Sequence, residues 1–434
     1  MTETNQRSSA DQRSRLLELY TTAVARALPG RCLPPYLPCV PAGGRIIIVG
    51  AGKGVAAMAV AAEQLYREHG EADRVSGFVT TRHGYGLPTQ WIEIVEAGHP
   101  VPDTASAAAA ERTLALVKTA GPNDIVLVLL SGGASALWNA PVAGISFDAK
   151  QALTKALLKS GARINEMNCV RKHLSRIKGG KLAAAAHPAR LVTLAISDVP
   201  GDDPSSIGSG PTVGDPTTLA DAREVLSRFG VVPPDEIRIA LDNLVNETLK
   251  PGAEALSRAE YTLIAAPGLS LEAAGEQARA MGYRVEILGD SLEGEARDVG
   301  REHAELARKT LAAGERVAIL SGGELTVTVR GNGVGGPNQE YALGLAIGLD
   351  GTPGISALAA DTDGADGGGG NADDPAGAMV FPDTLSRAAA LDLKAATFLA
   401  NNDSSNYFSR LSDLVQCGPT QTNVNDFRAI LIDP

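Results

Sequence analysis

A short apolar run that stops in a glycine cluster constrains this chain more than any other feature. Residues 46–49 read IIIV, residues 50–54 read GAGKG, and an alanine-rich stretch follows. Branched apolar side chains on both faces predict a strand covered on both sides, as in a parallel sheet. The glycines let the chain turn sharply from strand into helix. The pattern recurs: further apolar runs at 77–80, 92–96, 125–130 and 191–196 are separated by helical stretches that include 105–118 and 149–158. Strands alternating with helices predict an α/β fold built on a mainly parallel sheet with both faces covered. Ahead of it, Leu16, Leu17, Tyr20, Val24, Ala27 and Leu28 recur at helical spacing, and Pro29–Gly30 ends that helix.

A break at Pro233–Pro234 is followed by a predicted helix over 236–249 and then Pro251–Gly252. Alternation resumes with apolar runs at 261–266, 284–288, 317–320, 325–329, 355–360 and 427–432. We therefore expect two domains, 1–250 and 251–434, which suits a chain of 434 residues. The DGGGG patch at 366–370 reads as a flexible loop tip.

The net charge of −11 and the absence of a long basic run argue against wholesale binding of nucleic acid or an anionic membrane. Aromatic residues make up only 4%, too few for a base-stacking platform. A site for an anionic substrate must be built from local donors. The four cysteines form no CxxC pair, so reduced thiols are expected. Residues 1–15 are polar and no long uncharged apolar stretch occurs, which predicts a soluble, cytoplasmic protein.

Seven segments carry the candidate chemistry. GAGKG at 50–54 combines glycines for anion approach with the charge of Lys53, but it is neither GxGxxG nor a P-loop. The triplet Ser131–Gly132–Gly133 follows the 125–130 run and can form an anion nest. A serine hydrolase is disfavoured there, because GxSxG is absent. The run from Asn165 to Lys181 concentrates Arg171, Lys172, Arg176, Lys178 and Lys181 in an acidic protein; Arg suits a carboxylate through a two-pronged bond. After the 191–196 run, Asp198, Asp202 and Asp203 share a loop with Gly208, Ser209 and Gly210, where carboxylates suit Mg²⁺ or turn formation. In the second half, Glu324 follows SGG, Asn338 and Gln339 open a helix after a glycine-rich loop, and Asp361 and Asp363 sit in DTDGADG, which lacks the later Glu of an EF-hand.

The segments GAGKGVAAMA, EAGHPVPD, LLSGGASALW, NCVRKHLSRIKGGKLA, ISDVPGDDPSSIGSGPT, LSGGELTV, GGPNQEYAL, DTDGADG and NNDSS occur in order along nearly the whole chain. Together they resemble the class II glycerate kinase (glycerate 2-kinase) family with a MOFRL C-terminal domain. The resemblance implies a larger N-terminal Rossmann-like domain, a smaller C-terminal α/β domain and an active site in the cleft between them. It also implies ATP, Mg²⁺ and D-glycerate as reactants and 2-phosphoglycerate as product, with Lys53 matching the family's active-site lysine.

On that footing we expect Lys53, Asp198 and Arg171 to be catalytic. Ser131, Gly132, Gly133, Lys178, Gly208, Ser209, Gly210, Glu324, Asn338 and Gln339 are expected to contact the nucleotide, and Asp361 and Asp363 the metal. One departure stands out. Pro337 occupies a position where some members carry Arg, a charge that Arg171 or Lys178 could supply instead. Two alternatives remain: an NAD(P)H-dependent hydroxypyruvate reductase, against which the missing GxGxxG speaks, and a non-catalytic sugar-acid binder. A homodimer stays open as the assembly.

Overall fold

The computed structural model describes residues 3–367 and 373–434, with side chains from Ala10 onward. Gly368–Gly370 of the glycine patch lie outside the described residues. Two compact units emerge, one of Pro29–Ile264, the other combining the N-terminal helix with residues from Ala265 onward. The division is thus not the contiguous 1–250 and 251–434 of the sequence reading. The physical reason is the stripe of the first helix, α1 (Glu3–Ala27). Its Leu16, Leu19, Tyr20 and Ala23 bury against Leu271, Ala274, Phe427 and Leu431, and the Tyr20 hydroxyl donates to the Asp361 carbonyl at 2.8 Å.

The first unit holds a six-stranded sheet in the order β3-β2-β1-β4-β5-β6. Its strands are β1 (Ile46–Ala51), β2 (Val75–Arg82), β3 (Ile92–Ala97), β4 (Ile125–Leu130), β5 (Arg190–Ile196) and β6 (Ala259–Ala265). Strands β1 to β5 pair in parallel. Central β1 and β4 are buried at every position, as their unbroken apolar sequences require. The alanine-rich helix α2 (Val55–Glu68) follows β1 directly. The predicted 236–249 helix is shorter, ending at Asp242 with a 3₁₀ turn at Leu244–Asn246 where the Asn243 side chain accepts from the Val245 N–H at 3.1 Å.

The second unit also holds six strands: β7 (Arg284–Ile287), β8 (Val317–Ser321), β9 (Ile355–Asp361), β10 (Gly377–Val380), β11 (Leu414–Val415) and β12 (Asp426–Ile432), in the order β11-β10-β9-β12-β8-β7. This sheet is mixed. β12 runs antiparallel to both β8 and β9, while β7 and β8 are parallel. The apolar run 325–329 makes no strand: it contributes only a single bridge between Thr326 and Glu295. No described helix is long and apolar enough to cross a membrane.

Candidate active site

The order 3-2-1-4-5-6 means that the chain leaves β1 toward one sheet edge and β4 toward the other. Open α/β sheets bind ligands beyond the C-terminal strand ends at this reversal. GAGKG leaves β1 there and Ser131–Gly133 leaves β4, so the topology brings the two motifs together. They are laced to each other. The Gly54 N–H donates to Ser131 Oγ at 2.9 Å, and the Lys53 N–H donates to the Gly132 carbonyl at 2.7 Å. Thr81 Oγ1, on β2, donates to the Lys53 carbonyl at 3.3 Å. Ser131 is thus buried and committed to holding the turn.

Three side chains converge on this turn. A Cβ on Gly132 would overlap the carboxylate of Asp198, which stands just past β5. Gly133 has φ +87°, and a Cβ there would lie 2.8 Å from the His99 ring and 3.4 Å from Lys53 Cγ. The Gly132 and Gly133 N–H groups donate to no described residue, leaving them available to an anion. Burial, then the charges of Lys53 and Arg82, push His99 down to about 4, so its ring is neutral at pH 7.

Beside the turn opens a pocket of about 200 Å³. That lies below the ~300 Å³ at which pockets for drug-sized ligands begin, so it suits a small acid rather than a nucleotide. Lys150 from helix α3 (Phe147–Lys159), Arg171 from helix α4 (Ile164–His173) and Lys178 line it, and no Asp or Glu does. Lys178 Nζ donates to the Ser135 carbonyl and Oγ at 2.8 and 2.9 Å. Burial first, then Lys150, Arg171 and Lys172, hold Lys178 well below the usual lysine range. Arg171 has no ion-pair partner among the described residues, and burial lowers its pKa. Lys150 Nζ is buried with no hydrogen-bond partner; burial, then Lys181 and Arg171, bring it down to about 7.

Lys150 was not among the sequence candidates, although a signal existed. With Leu153 and Leu157 it falls on the buried stripe of α3, where an unpaired lysine is out of place. Conversely, Lys172 faces Asp215 at 3.4 Å rather than the pocket. The Gly208–Gly210 turn departs from the expected N–H cradle. The N–H groups of Ser209 and Gly210 already donate to the Ser206 and Ile207 carbonyls, both at 3.0 Å, because the chain closes a 3₁₀ turn there. What this turn offers instead are oxygens: Ser209 Oγ meets Ser135 Oγ at 2.8 Å. Asp203 accepts from Ser205 and Ser206, which makes it a turn former.

The remaining candidates belong to the second unit. Glu324 is exposed beyond β8. Asn338 and Gln339 open helix α5 (Pro337–Leu349) and are buried; their main-chain and side-chain N–H groups all donate to Asp366, at 2.8–3.1 Å. Asn338 also reaches Asp426 at 2.6 Å, and Arg428 joins Asp426 to the Gly322 carbonyl. Asp361 Oδ1 accepts from the Asp363 N–H at 2.9 Å, and Asp363 Oδ1 from the Ala365 N–H at 3.0 Å. These are two carboxylates on one turn. No group of three or more His, Cys, Asp or Glu suited to a metal occurs among the described residues.

A model described as a domain of unknown function (DUF4147) matches residues 15–242, and the MOFRL family model matches 317–426. A protein named D-glycerate 2-kinase from Thermotoga maritima is 40% identical, with 94% of this chain and 96% of that protein covered. The chain belongs to the glycerate kinase family. The crystal structure of glycerate kinase from Thermotoga maritima superposes with a TM-score of 0.89 at 38% identity, covering 98% of this chain and all of that one. Within the family, a protein of Agrobacterium vitis is 49% identical over 96% of this chain and 94% of its own length, and bears the provisional name hydroxypyruvate reductase.

Proposed function

We propose that this protein transfers the γ-phosphoryl group of ATP to the C2 hydroxyl of D-glycerate, giving 2-phosphoglycerate and ADP. The observation that carries the reading is the cationic, acid-free pocket of about 200 Å³ beside Lys53 at the β1–β4 reversal. A small carboxylate matches its size and charge. Phosphoryl transfer asks chiefly for positioning and charge neutralisation, and these residues supply both.

In this reading Arg171 takes the glycerate carboxylate. Lys53 and the open N–H groups of Gly132 and Gly133 receive the negative oxygens of the transferring group. Asp198, held against Gly132, orients the C2 hydroxyl and accepts its proton as the new bond forms. His99, being neutral, adds no competing charge. Mg²⁺ suits oxygen-only donors and usually needs only one or two carboxylates beside substrate phosphates. The paired carboxylates of Asp361 and Asp363 fit that requirement and would hold it. When bound, the ion would neutralise phosphate charge.

The reductase reading has the Agrobacterium vitis name in its favour. Against it, GAGKG at the exit of β1 lacks the GxGxxG spacing of a dinucleotide site. Steady-state assays separate the two. We expect ADP release that requires D-glycerate, and no oxidation of NADH or NADPH by hydroxypyruvate. Hydroxypyruvate-dependent oxidation without glycerate-dependent ADP release would reverse the conclusion.

A further inference from the structure

Lys150 is an anomaly that the family motifs leave unused. It projects from α3 into the pocket, its Nζ is buried, and no oxygen meets it. An unpaired buried ammonium is costly, so such a group sheds its proton unless a counter-charge reaches it. The groups that face it give no such charge. His99 comes from the loop after β3, Arg171 from α4, Lys178 from the loop beyond α4, and Lys181 from the next helix. Nearby acids are spent elsewhere: Asp215 on Lys172 and Glu247 on His173 and Lys250. Lys178 is caged by the Ser135 and Gly208 oxygens and cannot swing out without abandoning them.

We propose that Lys150 is a specificity-determining residue that, with Arg171, grips the carboxylate of the acceptor. The inference rests on the small-acid reading of this pocket and deepens it. Without an acceptor the amine readily loses its proton, because burial, then the charges of Lys181 and Arg171, favour the neutral form, with a pKa brought to about 7. The acceptor arrives as a carboxylate. Its negative charge restores the ammonium, so one proton is taken from the solvent and none leaves the substrate. Lys181, brought to about 8, titrates in the same range, but its Nζ is held by the Ser175 and Asn246 carbonyls.

Two consequences follow. Acceptor binding should absorb protons above pH 7 and almost none at pH 6. If only the protonated form binds well, the acceptor KM should rise about tenfold from pH 6 to pH 8, since one pH unit beyond a pKa leaves about one-tenth protonated.

The test is calorimetric titration of D-glycerate into the whole protein at pH 6 and pH 8, in buffers of differing ionisation enthalpy, beside steady-state kinetics. The wild type should take up more than half a proton per glycerate at pH 8. Lys150→Met should abolish that uptake, raise the glycerate KM at pH 6 about 10- to 100-fold, and lower kcat less than threefold. Lys150→Arg, whose charge does not titrate, should keep most of the affinity and flatten the pH dependence. An unchanged KM in Lys150→Met would overturn the proposal, whatever the proton uptake of the wild type. Turnover with an unaffected Lys150→Met sinks Lys150 and leaves the kinase. Proton-linked binding lost in Lys150→Met, but without turnover by the wild type, does the reverse. No binding of glycerate at all removes both.

Discussion

The pocket beside the β1–β4 exit and the cluster at the start of α5 both hold buried polar groups, yet they settle their charges in different ways. At α5 each buried arginine has its acid, although Asn338 Oδ1, Gln339 Oε1 and Arg428 Nε find no hydrogen-bond partner and burial raises Asp366 to about 7. Arg428 meets Asp426 and two carbonyls, Asn338 bridges Asp426 to Asp366, and Glu340 is held by Arg297 at 2.8 Å and by Asn402 at 3.0 Å. In the pocket Lys150, Arg171 and Lys178 gather with no acid among the lining residues. A buried network whose cations are paired with acids serves the fold. One that lacks its counter-charge waits for a ligand to supply it. The contrast predicts opposite outcomes for substitutions that look alike on paper.

The largest effect should come from breaking the paired network. Arg428→Met leaves Asp426 buried without its cation and should cost about 3–5 kcal/mol, read as a lower denaturation midpoint. Lys53→Ala should instead leave the midpoint nearly unchanged and lower turnover about 100- to 1000-fold, the scale of losing one donor to a developing charge. Near-normal turnover in that variant would reject its assignment. Lys150→Met should stabilise the protein by about 1–3 kcal/mol, because it removes an unanswered amine. The sign with pH is fixed. The folded pKa of about 7 lies below the free value of 10.5, so the cost of the buried charge is full below pH 7 and fades as pH rises toward 10.5. The gain from Lys150→Met should therefore be larger at pH 6 than at pH 9. Gly132→Ala should cost about 1–3 kcal/mol from crowding Asp198, with a clear loss of turnover if that carboxylate is displaced.

The fold was most legible where one physical signal dominated. IIIV before GAGKG, and IVLVLL before SGG, announce buried strands followed by tight turns, and both stand where expected. The shortest strands were not legible: Gly377–Val380 and Leu414–Val415 carry four residues and two, too few for a period to show. The 325–329 run misled because alternation of apolar and polar residues does not by itself supply a pairing partner. The same holds for α1, whose stripe announces a helix but not the unit it covers.

At the site, Lys53, Asp198 and the Ser131–Gly133 turn were readable because glycines and charges at strand ends have few other uses. Lys150 was not, since its meaning lies in what fails to surround it, and a sequence shows neighbours along the chain but not across space. Asn338 and Gln339 read as nucleotide contacts in the sequence, whereas their hydrogen bonds to Asp366 give them a part in starting α5 that the GGPNQE motif alone does not state.

The most direct test of the account is product analysis by ³¹P and ¹³C NMR after the protein is mixed with D-glycerate, ATP and Mg²⁺. The account predicts 2-phosphoglycerate with one ADP formed for each. 3-Phosphoglycerate would contradict the placement of Asp198 at the C2 hydroxyl, and the absence of any phosphoglycerate would contradict the kinase itself.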